Sequence, residues 1–397
     1  MAKRLFLFRR WLGLQIGSEG SVTIRWHFSC VFVGLTLGVV LAGCGRRDSQ
    51  AVSLADAPLE AYQRELLEIA FRAASAIPSD PHIKSRSQAQ AGVVTACLAL
   101  NQPQRALGYI ERIDDWRRGT AYADLAMHCL QRGYKTNVEA YLGTALKIAE
   151  GAEDWRKDRI VDQVAVVRAM SRPAADFDAE TAALAKMVSS QQFDVLKEAL
   201  ATYVRLFDRV YSDVERRTTV EASIRASWDK IPGFVRLDLL MDMIEHCLAH
   251  SDRTKALDLV KEAREIADPT SWQPTIEIPV KAKLARLRFL AGDPERASEE
   301  AKDALELFDA KRDQIANIYR AQTLRPIAEA HRAMGKADIA MDLYARAVEA
   351  GVENPNSRPR AEDLAATCCS MATQGAEPSL ELLSRIREIQ EGLGDPW

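Results

Sequence analysis

The 397-residue sequence predicts an all-α fold of about eight stacked helix-turn-helix pairs, and three observations carry that reading. From Pro58 onward Ala, Leu, Glu, Arg and Lys dominate, and apolar residues recur at spacings of three and four, the period of helices that bury one face. Turn signals return about every twenty residues, at Asn101-Gln102-Pro103, Gly133, Ser171-Arg172-Pro173, Gly292-Asp293-Pro294, Gly335 and Gly375. They cut the pattern into short hairpinned helices and exclude a long coiled coil. The third observation is self-similarity: Asp115-Trp116-Arg117 returns as Asp154-Trp155-Arg156, and Phe193, Phe234 and Trp272 continue the beat at a period of ~40 residues. A composition of 47% apolar and 27% charged residues excludes wholesale disorder.

The chain opens on a different kind of segment. Phe28 to Gly43 is an apolar run preceded by Lys3, Arg4, Arg9, Arg10 and Arg25 and by a single acid, Glu19, the charge pattern of an export signal. Sixteen residues reach ~24 Å as a helix, short of the ~30 Å hydrocarbon core, so an uncleaved membrane anchor is strained and a signal over residues 1–43 is the favoured reading. The run ends in Leu41-Ala42-Gly43-Cys44. That tetrapeptide resembles the lipobox of bacterial lipoproteins. The resemblance implies that Cys44 carries a diacylglycerol and becomes the new N-terminus, which locates the chain at the bacterial cell envelope. Gly45, rather than an Asp, follows Cys44, and by the same resemblance this favours the periplasmic side of the outer membrane over the inner membrane. Residues 44–57 read as a lipidated tether and residues 58–397 as the helical stack.

The stack begins with a lone helix over Pro58 to Ile77. In the pairs that follow, each turn leads to two small residues: Gly292 to Ala297 and Ala304, Gly335 to Ala340 and Ala347, Ser251 to Ala256 and Ala263. Twelve residues before the first of them lies the residue where the two helices of a pair cross: Ala285, Ala328 and Ile244, with Val94, Ala126 and Cys368 in the remaining units. Two helices ~8–10 Å apart leave little room at that crossing. The spacing resembles the tetratricopeptide repeat, although the period exceeds the ~34 residues of that family and the Pro that closes each unit is mostly missing. The resemblance implies a right-handed superhelix in which each pair touches only its neighbours. The match is poorest between Pro173 and Ile231. Asp268 to Pro279, with three prolines, reads as a hinge or enlarged loop, and Thr275 to Val280 inside it is the one strand-like scrap.

The search for chemistry returns little. No phosphate-cradling glycine loop, CxxC, HExxH or G-x-S-x-G occurs in the chain. His246, Cys247 and His250 share one helix, and three ligands from one turn with no fourth partner read as structural side chains rather than a metal site. Cys97, Cys129 and Cys247 each fall three residues after a crossing residue and read as small core side chains, and the neighbours Cys368 and Cys369 allow only a strained vicinal ring. No metal and no cofactor is expected. The net charge of −3 becomes −7 once residues 1–43, with five Lys/Arg and one Glu, are set aside, too acidic for a general nucleic-acid binder.

The tetratricopeptide resemblance implies protein or peptide binding on the concave face. Positions one and four residues after the crossing residue, and three before it, belong to that face in the family's register, which selects Arg286, Arg325 and Arg332. Read as a site, the three guanidinium groups favour an acidic peptide or a C-terminal carboxylate; read otherwise, they are a solvated charged face balanced by Glu329. The expected function is a membrane-anchored scaffold without enzymatic activity. The alternative is an envelope enzyme, or an accessory subunit of one, acting on peptidoglycan or polysaccharide.

Overall fold

The computed structural model describes residues 54–171, 177–188 and 193–397. The export signal, Cys44 and most of the tether lie outside the described residues. Seventeen α-helices and no strand occur among the described residues. A lone helix, α1 (Ala61–Ala76), precedes α2 (Ser79–Ala99), α3 (Pro103–Ile110), α4 (Arg117–Arg132), α5 (Lys135–Glu150), α6 (Asp154–Ser171), α7 (Phe177–Val188), α8 (Phe193–Arg209) and α9 (Val214–Arg225). The second half holds α10 (Gly233–Ala249), α11 (Arg253–Ala267), α12 (Pro274–Ala291), α13 (Pro294–Lys311), α14 (Asn317–Ala333), α15 (Ala337–Val352), α16 (Ser357–Thr373) and α17 (Leu380–Glu391). None of the helices among the described residues is long and apolar enough to cross a membrane.

One local device sets most of the hairpins. The turns after α2, α4, α10, α12, α14 and α16 each hold a residue with left-handed backbone: Asn101, Gly133, Ser251, Gly292, Gly335 and Gly375, with φ between 55° and 102°. In all six the next N–H donates back to a carbonyl in the last turn of the helix, from Gln102 to Cys97, Tyr134 to Cys129, Asp252 to Cys247, Asp293 to Arg288, Lys336 to His331 and Ala376 to Met371, at 2.8–3.2 Å. This pairing satisfies a carbonyl that the helix end leaves open. Cys97, Cys129 and Cys247 occupy one equivalent place in it. They are the buried acceptors of this closing bond, a position filled elsewhere by Arg288, His331 and Met371.

The even-numbered helices pack side by side in chain order, and α3, α5, α9, α11, α13 and α15 each lie against the even-numbered helix before them, whereas α7 packs against α8. Adjacent even-numbered helices run parallel. Trp116 and Trp155, at the starts of α4 and α6, meet edge to face at 5.5 Å, each under the guanidinium of the arginine that follows it; this is the physical content of the repeated Asp-Trp-Arg. The crossing residues Val94, Ala126, Ile244, Ala285, Ala328 and Cys368 are all buried.

The ends depart from the expectation that each pair touches only its neighbours. Helix α16 packs against α2 and, more extensively, against α1. Gln63 Nε2 donates to Ala372 O at 2.8 Å, Arg387 pairs with Glu65, and Arg358 Nη1 donates to Ser85 Oγ at 3.3 Å. One continuous hydrophobic core therefore holds residues from Leu54 to Val167 together with residues from Ile278 to Ile386. The even-numbered helices form a closed circuit. The cause lies in α1, where Leu66, Leu67, Ile69, Ala70, Phe71, Ala73 and Ala74 are all buried; so wide an apolar surface needs more cover than one partner helix offers.

Two further expectations change. Thr275 to Val280 is helical within α12, with Pro279 inside it, so the proposed hinge shrinks to residues 268–273. Leu54 to Ala57, assigned by sequence to the tether, lie against the turn after α2: Leu54 is buried, and Asp56 accepts from the N–H groups of Gln104 and Arg105 at the start of α3.

Candidate functional site

The even-numbered helices enclose a lumen. A cavity of about 930 Å³ is lined by α2, α14 and α16 and reached by Glu245 and Arg286 from α10 and α12. A second, of about 480 Å³, lies against α8, α10 and α12 and shares Glu245, Arg286 and Glu329 with the first, so the two adjoin. Its walls differ in chemistry. Helix α2 presents Ala89, Gly92, Ala96 and Ala99, and a Cβ on Gly92 would meet nothing within 4 Å. The opposite walls are charged.

Two of the three arginines selected from sequence line this space, and each is held. Arg286 Nη1 donates to Glu245 Oε1 at 3.4 Å, and Arg325 Nη1 to Asp363 Oδ1 at 3.1 Å. Both pairs join neighbouring even-numbered helices. Arg332 is placed elsewhere: its Nη2 donates to Gly375 O at 2.6 Å and its Nε to Gln374 O at 3.3 Å, closing the end of α16. Four residues after the crossing residue is the last turn of α14, where a side chain reaches the neighbouring helix end rather than the lumen. The positions that do face the lumen lie one residue after the crossing residue and two, three or six before it, as Glu245, Asp242 and Asp238 illustrate on α10.

That face carries groups which sequence reasoning missed. Asp238 and Asp242 stand one turn apart on α10, with Lys197 of α8 and Lys283 of α12 on either side. None of the four makes an ion pair or a hydrogen bond with a described residue. Both side chains reach solvent, yet the helices crowded around them hold both carboxyls above the usual carboxylate range; Glu245 and Asp238 raise Asp242 further, while Lys283 and Lys197 oppose the shift at Asp238 and His246 and Arg205 oppose it at Asp242. Glu329, which lines both cavities, accepts from Ser370 Oγ at 2.6 Å, and Ser370 in turn meets the Tyr344 hydroxyl at 2.9 Å.

Asp124, on the α4 wall, accepts from Gln163 of α6 and lies in the field of Arg205 of α8. Part of its side chain reaches solvent, yet the helices crowded around it strip enough water from the carboxyl to push it up to about 6. The folded chain therefore binds this proton more tightly than the unfolded chain, whose Asp titrates near ~3.9, and loses stability as pH rises from there through about 6. Asp124→Asn is expected to raise the thermal midpoint at pH 7.5, with the gain vanishing by pH ~4. Melting curves of both chains at the two pH values check it, and equal midpoints at pH 7.5 would refute it.

The histidines settle into structure. His246 Nδ1 and His250 Nε2 lie 3.3 and 2.8 Å from the same Asp208 oxygen, and the His250 ring stacks on Tyr211 at 4.1 Å. Cys247 is buried, and no group of three or more His, Cys, Asp or Glu able to hold a metal occurs among the described residues. Cys97, Cys129 and Cys368 are buried free thiols, the last two pushed up by burial to about 11 and about 12. Compared with known proteins, the chain matches no family model and no curated protein.

Proposed function

We propose that the chain is a lipid-anchored scaffold of the bacterial cell envelope that takes a protein or peptide segment into the lumen of a tetratricopeptide-like superhelix whose two ends meet. The observation that supports this most is the lumen itself, about 930 Å³ in its larger part, with one wall of small residues and the others of charged ones. Small residues let a peptide backbone approach closely, while charged groups fix its register. The repeat reading draws on helix starts at Arg117, Asp154, Phe193, Gly233, Pro274, Asn317 and Ser357, a regular spacing of the kind that stacked helical repeats show. The anchor reading rests on Leu41-Ala42-Gly43-Cys44, with the periplasmic side of the outer membrane as the favoured location.

The enzyme reading draws on the lumen's carboxylates. Glycosidic hydrolysis needs two carboxyls on opposite sides of the scissile bond; Asp238 and Asp242 project from one face of one helix, and on the other walls Asp363 is engaged by Arg325 and Glu329 by Ser370. The scaffold is therefore preferred.

A photo-crosslinking residue in place of Gln322, which lines the lumen, is expected to capture a peptide partner, and one in place of the exposed Asp303 on α13 is not. In the same cells Cys44→Ala is expected to leave an uncleaved chain that takes up no labelled fatty acid. Equal capture at both positions would overturn the lumen as the binding face, and normal processing of the Cys44 variant would overturn the anchor.

A further inference from the structure

Both copies of the repeated Asp-Trp-Arg line a groove that is separate from the lumen. It lies among α4, α5 and the start of α6, holds about 730 Å³, and takes Asp115 and Trp116 from the first copy and Arg156 from the second. It shares no lining residue with either lumen cavity. Its size is that of small-molecule sites, ~300–1,000 Å³.

Most charges around the groove are matched within the protein. Asp115 holds Arg117 at 2.7 Å, Glu153 meets Arg156 at 3.4 Å and Asp114 meets Arg86 at 3.8 Å. Glu111, Arg118, Tyr122 and Lys147 also line it, and none of their side chains makes an ion pair or a hydrogen bond with a described residue. Two of them are unmet where water is scarce. Tyr122 is 9% exposed, yet its hydroxyl has no protein partner among the described residues, and Arg118 Nε is buried without a hydrogen-bond partner. The groups stand together, since Glu111 and Arg118 both act on the Tyr122 hydroxyl through space. Buried donors left unmet are costly, and an acceptor placed in the groove meets the hydroxyl and the guanidinium at once.

We propose that this groove binds a saccharide whose ring carries one carboxylate. A sugar hydroxyl both donates and accepts, and the groove offers both kinds of partner: Glu111 accepts, while Arg118, Tyr122 and Lys147 donate. Trp116 and Ile148 add apolar surface for the C–H face of a pyranose ring. Among the unpaired side chains Arg118 and Lys147 outweigh Glu111 by a single positive charge, which calls for one negative charge on the ligand. Arg118 takes a carboxylate through two parallel hydrogen bonds, a geometry that its planar guanidinium favours. An acidic peptide brings the same carboxylate but no hydroxyl-rich ring with an apolar face. The inference does not depend on the lumen or on what occupies it.

The test is calorimetric titration of the full chain with a glucuronate–N-acetylglucosamine disaccharide, with the glucose–N-acetylglucosamine disaccharide that lacks only the carboxylate, and with a capped peptide holding a single Glu. The glucuronate disaccharide is expected to bind about tenfold more tightly than either of the others. Arg118→Gln is expected to bring it down to the affinity of the neutral disaccharide. Tyr122→Phe, which keeps the buried ring, is expected to weaken both disaccharides. Circular dichroism and thermal midpoints no lower than the parent's verify that each variant is folded. Equal affinities for the two disaccharides would overturn the carboxylate contact, and a peptide bound as tightly as the glucuronate disaccharide would overturn the sugar ring as the ligand. A preference that survives Arg118→Gln, or affinities unchanged by Tyr122→Phe, would place the ligand outside this groove and overturn the site. Absence of binding by all the probes would overturn the proposal as a whole.

Discussion

Phe71→Ala is expected to destabilise the chain by about 3–5 kcal/mol, the cost of emptying a fully buried aromatic site. The Phe71 ring is 0% exposed, stacks on Tyr109 of α3 at 4.0 Å with planes 6° apart, and lies under the Arg112 guanidinium. It belongs to the core that α1 to α6 share with α12 to α17, so the loss reaches both ends of the chain. Denaturant unfolding measures the magnitude. Hydrogen exchange in α16, near the opposite end of the sequence, supplies the distinguishing readout: its amides are expected to lose protection along with those of α1. Unchanged protection in α16 would mean that the two ends fold independently.

Ala328→Phe tests the stacking at one crossing. Ala328 is 0% exposed on α14, which packs against α12, α13, α15 and α16. A ring there has to displace helices rather than side chains, and overpacking costs ~1–3 kcal/mol or more. The same change at Ala366, which lines the lumen, is expected to be tolerated. Equal thermal midpoints for the two variants would show that the crossing has slack.

Much of the local structure was legible in the residues because it rests on local rules. Gly133, Gly292, Gly335 and Gly375 mark turns since each adopts a left-handed backbone that glycine accepts without penalty. Ser251 does the same at φ 63° and was legible only by its place in the repeat. The turn between α8 and α9 has no left-handed residue, which is why the register faded between Pro173 and Ile231. Closure of the circuit left no periodic trace, because a contact between Gln63 and Ala372 obeys no spacing. The signal available was the breadth of α1's apolar surface, too wide for a helix with one partner. At the site, counting found Arg286 and Arg325 but not their partners Glu245 and Asp363, whose roles depend on the neighbouring helix. Asp238 and Asp242 were missed since the positions were counted only from Ala285 and Ala328, and the register held no place for residues two and six before a crossing.

The meeting of α1 with α16 also has a consequence in time. Translation runs at ~5–20 residues per second, so roughly 15–60 s pass between synthesis of α1 and that of the helix which covers it. Throughout that interval Leu66, Leu67, Ile69 and Phe71 have no complete shelter. A chain truncated before α16 stays in that state permanently. The nascent chain is thus expected to need a holding chaperone until its last helical pair arrives, and quality control can read completeness from a single feature, whether the first helix is covered.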